Sequence, residues 1–297
     1  MNLEALIQQL MNGLSLGSLY ALIAIGYTMV YGILRLINFA HGDIFMVGAY
    51  CAFFFVAIFR LPWFLSALLA IGLTALVGMS VERIAYRPVR NAPRISALIT
   101  ALGVSFFIEN LGLVTVGARP KAFARPEIMA KVVKIGPAAV SAVSIWVPIL
   151  SVLLLLALMY VIYRTKAGMA MRAVSTDIET TRLMGADVDR VIALTFALGS
   201  ALAAAGGIMW ACKYPQINPL MGIYPGWKAF TAAVVGGIGN ITGAMLGGLL
   251  IGMVEIMTVA FFPSLSGYRD GIIFTLLLVF LLVKPTGILG ESLKEKV

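Results

Sequence analysis

Apolar residues dominate the chain and fall into long runs that short polar connections separate. A bilayer core about 30 Å thick needs roughly 20 helical residues to cross it. Several runs meet or approach this length, both before and after the loop at 213–225. We therefore predict nine membrane segments, at residues 10–34, 44–59, 61–81, 96–116, 145–163, 191–212, 227–239, 242–262 and 271–283.

The segment at 227–239 is the least regular of the nine. It is short and ends in glycines, so it either crosses the membrane or re-enters it. We expect an all-α polytopic membrane protein with eight or nine transmembrane helices, some of them broken or re-entrant. No repeat or low-complexity stretch divides the chain, so residues 1–297 are predicted to form one transmembrane domain.

The composition supports a membrane protein over a soluble one. Hydrophobic residues make up 61% and charged residues 12% of the chain, with a mean hydropathy of +1.00. Soluble proteins carry roughly twice that share of charge. The net charge of +9 is also typical of nucleic-acid binding, but the cations lie in short connections without interleaved aromatic residues. The lipid bilayer is therefore the expected partner, and nucleic acid is not.

The distribution of positive charge predicts the orientation. Cytoplasmic connections carry an excess of Lys and Arg, which assigns 82–94 and 164–190 to the cytoplasm. The N-terminus and the loop 118–142 then lie outside, and the tail lies inside. Five cations in the outer loop oppose the rule, so either this loop has a function or one predicted crossing is a hairpin. They are Arg119, Lys121, Arg125, Lys131 and Lys134.

The stretch 35–43 places four polar side chains between two apolar runs: Arg35, Asn38, His41 and Asp43. Such groups are costly at membrane depth unless they pair or face water. One interpretation is a cytoplasmic turn with solvated, helix-capping charges. The other is a broken helix that lines a translocation path, with Gly42 as the place for the break.

The glycine-rich stretch 236–252 has glycines at four-residue spacing, which lets helices approach closely in lipid. The alternative is an interrupted helix that exposes Asn240 and Thr242 to a path. No lysine follows these glycines as in a phosphate-binding loop, so nucleotide binding is not predicted here.

Two acids lie within predicted spans, Glu109 and Glu255. Each is either a proton-relay or substrate contact, or a neutral structural group bonded to neighbouring helices; the structural interpretation is favoured for Glu255. The chain holds one histidine and shows no nucleophile arrangement or metal-ligand spacing. No catalytic residue, metal or cofactor is therefore predicted.

The connection 164–190 contains signals for a short helix. Thr176 and Glu179 have the spacing of a capping box, Asp177 suits the helix N-terminus, and Gly185 suits the left-handed C-terminal position. A helix of about two turns is marginal alone. It is either held by a cytoplasmic partner or is a local turn in a solvated loop.

Several stretches resemble one family. They are GLSLGSLYALIAIGYTMVYGILRLINFAHGDIFMVGAY at 13–50, RPVR at 87–90, RVIALTF at 190–196, KAFTAAVVGGIGNITGAMLGGLLIG at 228–252 and KPTGILG at 284–290. They resemble the inner-membrane permease of bacterial branched-chain amino-acid ABC transporters, the shorter of its two permease subunits. The resemblance covers nearly the whole chain except 118–142, and it implies a type II ABC importer-like permease.

The resemblance implies an assembly with a longer permease subunit, two cytoplasmic ATPase subunits and a periplasmic protein that binds leucine, isoleucine or valine. ATP would be bound by the partners, so this chain would be a translocation subunit in the bacterial inner membrane and not an enzyme. The short cytoplasmic helix would be the ATPase-coupling helix, with Thr176, Asp177, Glu179, Arg182 and Gly185. Candidate path residues are Arg35, Asn38, His41, Asp43, Glu109, Asn240 and Thr242.

Other functions stay open at this point. Permeases for urea or short amides in the same family look much alike. A proton-coupled secondary carrier would use His41, Asp43 and Glu109, and an ion channel would need no ATPase partner.

Overall fold

The computed structural model describes residues 2–290 and is mostly helical. Across the described residues, seven helices are long and apolar enough to cross a membrane: Leu3–Leu34, Trp63–Val89, Ile95–Val116, Ala142–Arg164, Val188–Lys213, Ile241–Phe261 and Pro263–Val283. The long elements are α1 (Leu3–Leu34), α3 (Trp63–Val81), α5 (Arg94–Val116), α7 (Ala142–Arg164), α10 (Val188–Lys213), α12 (Ile241–Phe261) and α13 (Arg269–Val283).

Shorter elements connect or interrupt the long ones. A π-helical turn, Glu82–Tyr86, extends α3 and leads into α4 (Arg87–Val89), and a 3₁₀ turn, Pro263–Tyr268, precedes α13. The other short elements are α2 (His41–Ala57), α6 (Glu127–Ala130), α8 (Lys166–Thr176), α9 (Ile178–Leu183), α11 (Ile223–Gly236), β1 (Lys121–Ala122), β2 (Val132–Ile135), β3 (Ala138–Ser141) and β4 (Gln216–Ile217).

Helices α2 and α11 are too short to cross a bilayer. They contain 17 and 14 residues, or about 25 Å and about 21 Å of helix against a hydrocarbon core of about 30 Å. Non-helical chain at 35–40 and around 214–222 precedes each of them. The predicted polytopic helical fold with broken segments is therefore confirmed, and α2 and α11 are its broken segments.

The predicted outer loop 118–142 is more ordered than the sequence indicated. Strands β2 and β3 form an antiparallel hairpin that turns at Gly136, which has φ +57°. Strand β1 pairs antiparallel with β4, so the loop is joined by main-chain hydrogen bonds to the chain that leads into α11. Four short strands thus supplement an otherwise helical fold.

The two ends of the bundle group the connections as the charge pattern predicts. At one end, Arg90 contacts Asp189, and residues of α8 line the same cavity as Pro285, Thr286 and Gly290, so 82–94, 164–190 and 285–290 lie together. At the other end, the Gln8 amide donates to the Ala139 carbonyl at 3.1 Å. We call these the predicted cytoplasmic end and the predicted outer end.

Helix α1 is the centre of the bundle: 89% of its most apolar window is buried. Glycines let α12 pack closely against it. A Cβ on Gly248 would lie 2.4 Å from the Ala21 Cα, and one on Gly252 would lie 2.3 Å from the Gly17 Cα. The predicted close packing by these glycines is confirmed for this pair of helices.

Helices α5 and α13 lie at the periphery. Only 17% and 6% of their apolar windows are buried. Large apolar side chains cover their outer faces, including Phe106 and Phe107 on α5 and Leu282 on α13. These faces are suited to lipid or to other membrane-embedded subunits.

A buried charge cluster ties α11 to α12 and α13. The Lys228 ammonium lies 2.7 Å from both the Glu255 and the Asp270 carboxylates, and the Tyr20 hydroxyl donates to Glu255 at 2.8 Å. The Lys228 and Glu255 side chains are 5% and 6% exposed. Glu255 therefore has the structural role that was favoured for it, although its main partner is a lysine that the sequence analysis did not single out.

Replacing one member of this cluster is expected to destabilise the protein strongly. Lys228→Met leaves the Glu255 carboxylate buried without its cation, which costs about 3–5 kcal/mol, whereas Lys228→Met/Glu255→Leu removes both charges and recovers most of the loss. The measurement is the unfolding temperature of the purified protein. Lys166→Met, which removes an exposed lysine, is the control; an equal shift in all three variants would contradict the assignment.

Candidate functional site

The chain reverses within the membrane between α1 and α2. Arg35 ends α1 in the left-handed conformation, with φ +53°, and its N–H bonds to the Tyr31 carbonyl at 2.7 Å. Residues 35–40 then return along α1, so that the His41 ring lies against Gly26, where a Cβ would be 2.2 Å from His41 Nε2. Gly26 is eight residues before the end of α1, so α2 begins about 12 Å inside the predicted cytoplasmic end of that helix.

Helix α11 begins against the same point from the opposite direction. A Cβ on Gly42 would lie 2.7 Å from the Gly222 carbonyl oxygen, and one on Gly222 would lie 2.0 Å from the Gly42 oxygen. Gly226 also faces the Gly42 Cα. The N-terminal turns of α2 and α11 therefore meet backbone to backbone, and we call the contact of His41–Asp43 with Gly222–Gly226 the half-helix junction.

Charge is concentrated at the half-helix junction. Each helix N-terminus carries a partial charge of about +0.5, so two that meet repel each other unless an anion is near. Asp43, in the first turn of α2, is 3% exposed and places a carboxyl group beside these helix ends. The Ser105 hydroxyl on α5 donates to its carboxylate at 2.5 Å, and Glu109, one helical turn further on α5, also interacts with it.

Aromatic rings surround the half-helix junction. The Tyr27 ring lies 4.8 Å from the His41 ring and 6.0 Å from the Phe230 ring, between ring centres. Phe39, in the non-helical stretch, stacks near Trp227 at 5.5 Å. The rings shield the exposed helix ends from lipid, as non-helical backbone at membrane depth requires.

Asn38 anchors the non-helical stretch from the side. It is 2% exposed, and its Oδ1 accepts a hydrogen bond of 2.8 Å from the Tyr86 hydroxyl. Tyr86 is the last residue of the π-helical turn and is fully buried against the Phe196 ring. The stretch before α2 is thus held by the extension of α3.

A cavity of about 580 Å³ lies between the half-helix junction and the predicted cytoplasmic end. This is within the range of about 300–1,000 Å³ that small-molecule sites occupy. Its walls come from α1, α7, α8, α10, the α11–α12 connection, the start of α12 and residues 285–290: Thr28, Met29, Tyr31, Gly32, Ile33, Arg35, Ile162, Tyr163, Met171, Arg172, Ser175, Thr195, Ile238, Gly239, Asn240, Ile241, Thr242, Pro285, Thr286 and Gly290.

The structure brings the predicted path residues to two neighbouring places. His41 and Asp43 lie at the half-helix junction, with Asn38 and Glu109 beside it, and the remaining three line the cavity: Arg35, Asn240 and Thr242. The interpretation of 35–43 as a solvated turn is wrong for Asn38, His41 and Asp43, because all three are buried.

Asn240 has a structural role as well. Its side chain caps α12 by accepting the Gly243 N–H at 2.9 Å and donates to the Leu289 carbonyl at 3.0 Å. Gly237 and Gly239, with φ +106° and +100°, make the turn between α11 and α12. Both interpretations of the glycine-rich stretch therefore hold in part, since it packs helices and interrupts one.

The capping box predicted at Thr176 is wrong. Thr176 is the last residue of α8, where its hydroxyl donates to the Arg172 carbonyl at 3.1 Å and so continues that helix. Asp177 caps α9 instead, accepting the N–H groups of Glu179 and Thr180. The predicted short helix therefore corresponds to α9, of 6 residues, and α8, of 11 residues, is a further helix that was not predicted.

The C-terminal end of α9 follows the prediction. Gly185 has φ +85°, and its N–H bonds to the Arg182 carbonyl at 3.0 Å. The two residues before it, Leu183 and Met184, are 86% and 83% exposed. Two large apolar side chains therefore project together from the predicted cytoplasmic end, as at protein interaction sites.

Several residues at the site escaped the sequence analysis. Gly222 and Gly226 have the four-residue spacing that signals close helix contact, and Lys228 is an ionisable residue in an apolar segment, so both signals were present. Tyr86 and Ser105 carry no such signal, because their roles arise only when α3 and α5 pack. Across residues 2–290, no group of His, Cys, Asp and Glu is arranged to hold a metal ion.

Comparison with known proteins gives matches along nearly the whole chain. Residues 9–282 match the family described as branched-chain amino acid transport system, permease component. The chain is 44% identical to the high-affinity branched-chain amino acid transport system permease protein LivH of Salmonella typhimurium, over 98% of this chain and 97% of that protein. It is 42% identical to the corresponding protein BraD of Pseudomonas aeruginosa, over 98% of each.

Among solved structures, the chain is similar to PsaBC from Streptococcus pneumoniae in complex with Fab. The TM-score is 0.48 with 11% identity, and the match covers 96% of this chain and 94% of that one.

The family match includes the half-helix junction, most of the cavity lining and nearly all of the seven candidate spans. The alignments with the two relatives extend over 98% of the chain. This multi-pass membrane protein therefore belongs to the family of permease components of branched-chain amino acid transport systems.

Proposed function

We propose that this chain is one of two membrane subunits of an ATP-driven importer for leucine, isoleucine and valine. Its partners are a longer permease subunit, two cytoplasmic ATPases and a periplasmic substrate-binding protein. The observation that carries the proposal is the 44% identity, over 98% of the chain, to a protein named for high-affinity branched-chain amino acid transport.

The half-helix junction supplies chemistry for an amino-acid zwitterion. Helix N-termini attract carboxylates, and the Asp43 and Glu109 carboxyls attract an ammonium group. The rings of Tyr27 and Phe230 offer an apolar surface for a branched side chain. In the described state Gly42 and Gly222 are in contact, so the substrate passes only when α2 and α11 separate, and it then enters the cavity beside Arg35.

Helix α9 is suited to an ATPase partner. Leu183 and Met184 are exposed on the aqueous side, where a groove on another protein would cover them. The preceding helix, α8, buries Met171 and Val174 in a cluster with residues of α1 and α10. A force on α9 therefore reaches the spans through packed side chains, which is the action required of a coupling helix.

The outer loop 118–142 is suited to an acidic soluble partner. It carries five cations and one carboxylate, Glu127, and its exposed members include Lys131 and Lys134 on and beside β2. The loop is anchored through buried Phe123 and Met129 and lies over the outer end of central helix α1. Lipid headgroups contact the rim of a helix bundle, whereas this loop lies over its centre. We therefore assign the loop to contact with the binding protein.

One observation favours a second function, proton-coupled transport. Asp43, Ser105 and Glu109 form a contiguous polar group within the membrane, as in proton relays. The energy source distinguishes the two functions.

The proposed function is tested by leucine uptake into vesicles that contain the whole complex. Uptake is expected to require ATP inside and the binding protein outside, and to persist when a protonophore collapses the proton gradient. Excess isoleucine or valine should compete, whereas urea and acetamide should not. Uptake by this chain driven by a pH gradient without ATPases would contradict the proposal, and competition by urea would change its substrate.

Removal of the exposed apolar pair on α9 should weaken ATPase binding. Leu183→Ala/Met184→Ala removes side chains whose burial in a partner stabilises by about 1.5–3 kcal/mol each, so affinity for the ATPase is expected to fall by roughly 100-fold or more. The measurement is ATPase retention on the purified permease pair. Ile128→Ala removes an exposed apolar residue from the opposite end and should retain the ATPase; equal retention by all variants would exclude α9 as the contact.

Charge reversal on the outer loop should weaken docking of the binding protein. Lys131→Glu/Lys134→Glu is expected to raise the dissociation constant about tenfold at low salt, and the difference should shrink at high salt because screening removes it. Lys166→Glu/Lys284→Glu makes the same charge change at the cytoplasmic end and serves as the control. If anionic vesicles lose affinity for the loop variant while the binding protein does not, the loop contacts lipid instead.

A further inference from the structure

We propose that the hydrogen bond from Tyr86 to Asn38 is the link through which the coupling helices act on the half-helix junction, with both residues as positioning residues for transport. The proposal rests on the proposed function, because it explains how ATPase movement reaches the path. Its basis is the geometry of the π-helical turn, the packing around Tyr86 and the position of Asn38.

Tyr86 belongs to a hydrophobic cluster distinct from the main core. This cluster lies toward the predicted cytoplasmic end and combines α8 with parts of α1, α5 and α10 and with the π-helical turn; its buried members are Val30, Ile33, Tyr86, Ala101, Met171, Val174, Val188, Ile192 and Phe196. Met171 and Val174 are the large side chains that α8 buries in it. Movement of α8 therefore reaches the Tyr86 ring through α10, whose Phe196 ring lies 5.2 Å from the Tyr86 ring between centres.

Asn38 connects that cluster to the half-helix junction. Its side chain accepts the Tyr86 hydroxyl at 2.8 Å, and its main-chain carbonyl accepts the His41 N–H at 3.1 Å. His41 is the first residue of α2, and Gly42, next to it, touches Gly222. Two hydrogen bonds and one peptide step thus separate Tyr86 from the contact that closes the path.

The π-helical turn makes a second position of Tyr86 accessible. Such a turn contains one extra residue relative to an α-helix; it is rare and is frequently found at functional sites. Loss of that extra residue from the turn would rotate Tyr86 by about 100° around the helix axis, because each residue of an α-helix turns by that angle. The hydroxyl would then leave Asn38 and release the stretch 35–40.

An ion pair holds the first residue of the π-helical turn, and the last residue makes the hydrogen bond to Asn38. Glu82 is 2% exposed and pairs with Arg90, which also contacts Asp189 at 2.7 Å at the start of α10. Arg87 binds the same Asp189. A shift of α10 is therefore transmitted through Asp189 and Arg90 to Glu82, and it moves Tyr86, the end of the turn that holds Asn38.

The test compares Tyr86→Phe with the wild type in the complete complex reconstituted in vesicles. The change keeps the buried ring and removes only the hydroxyl. ATP hydrolysis should persist, while leucine transported per ATP hydrolysed should fall about tenfold, the effect of leaving a buried acceptor unpaired. Tyr50→Phe is the matched control, because the Tyr50 hydroxyl is buried on α2 without a hydrogen-bond partner among the described residues.

A double-mutant cycle with Asn38→Leu tests whether Tyr86 and Asn38 act through their shared hydrogen bond or independently of each other. Asn38→Leu and Tyr86→Phe/Asn38→Leu should lower the transport ratio to the same level as Tyr86→Phe, within about twofold, because residues that act through one contact are non-additive. Additive losses would overturn the proposal. So would a normal ratio in Tyr86→Phe.

Folding and the proposed function are checked in the same experiment. If Tyr86→Phe lowers the amount of assembled complex but the remaining complex keeps the wild-type ratio, the hydrogen bond serves folding alone and the proposal is wrong. If the wild type itself takes up leucine without ATP, the proposed function fails, and this result is independent of the variant.

Discussion

The structure depends on a contact between two peptide backbones inside the membrane, Gly42 against Gly222. Two helices that each span only part of the bilayer have unsatisfied N-terminal groups at its interior, which is costly in hydrocarbon. Meeting end to end at glycines shields both ends at once. The placement of Asp43, the ring of aromatic side chains and the central position of α1 all serve that single contact, since each covers or neutralises it.

The sequence predicted the fold well because lipid makes length and hydrophobicity decisive. Seven of the nine predicted segments agree with the long helices, and the other two, 44–59 and 227–239, correspond to the half-helices α2 and α11. The stretch 35–43 was correctly singled out, since four polar groups in an apolar region require a reason. Thr176 was misjudged because a threonine hydroxyl can bond either forward to a following N–H or back to a preceding carbonyl, and only packing decides between them.

What the sequence could not predict is contact between residues far apart in the chain. Tyr86 meets Asn38 across 48 positions, and nothing near either residue indicates the other. The π-helical turn that aims Tyr86 arises from packing at the end of α3. In the outer loop, the sequence analysis recognised the cations but missed how the loop is attached. Strand β1 of the loop pairs with β4, which leads into α11, and this pairing uses main-chain hydrogen bonds that leave no side-chain pattern in the sequence.

Arg35 combines a strained backbone conformation with a position on the cavity wall. Its left-handed backbone is a conformation that L-residues other than glycine adopt at a cost of about 1–2 kcal/mol. Glycine there would relax the backbone, yet it would also remove a cation from the cavity wall and loosen the reversal that sets the height of α2. Arg35 therefore carries a cost in stability that is the condition for a fixed reversal and a cation on the cavity wall.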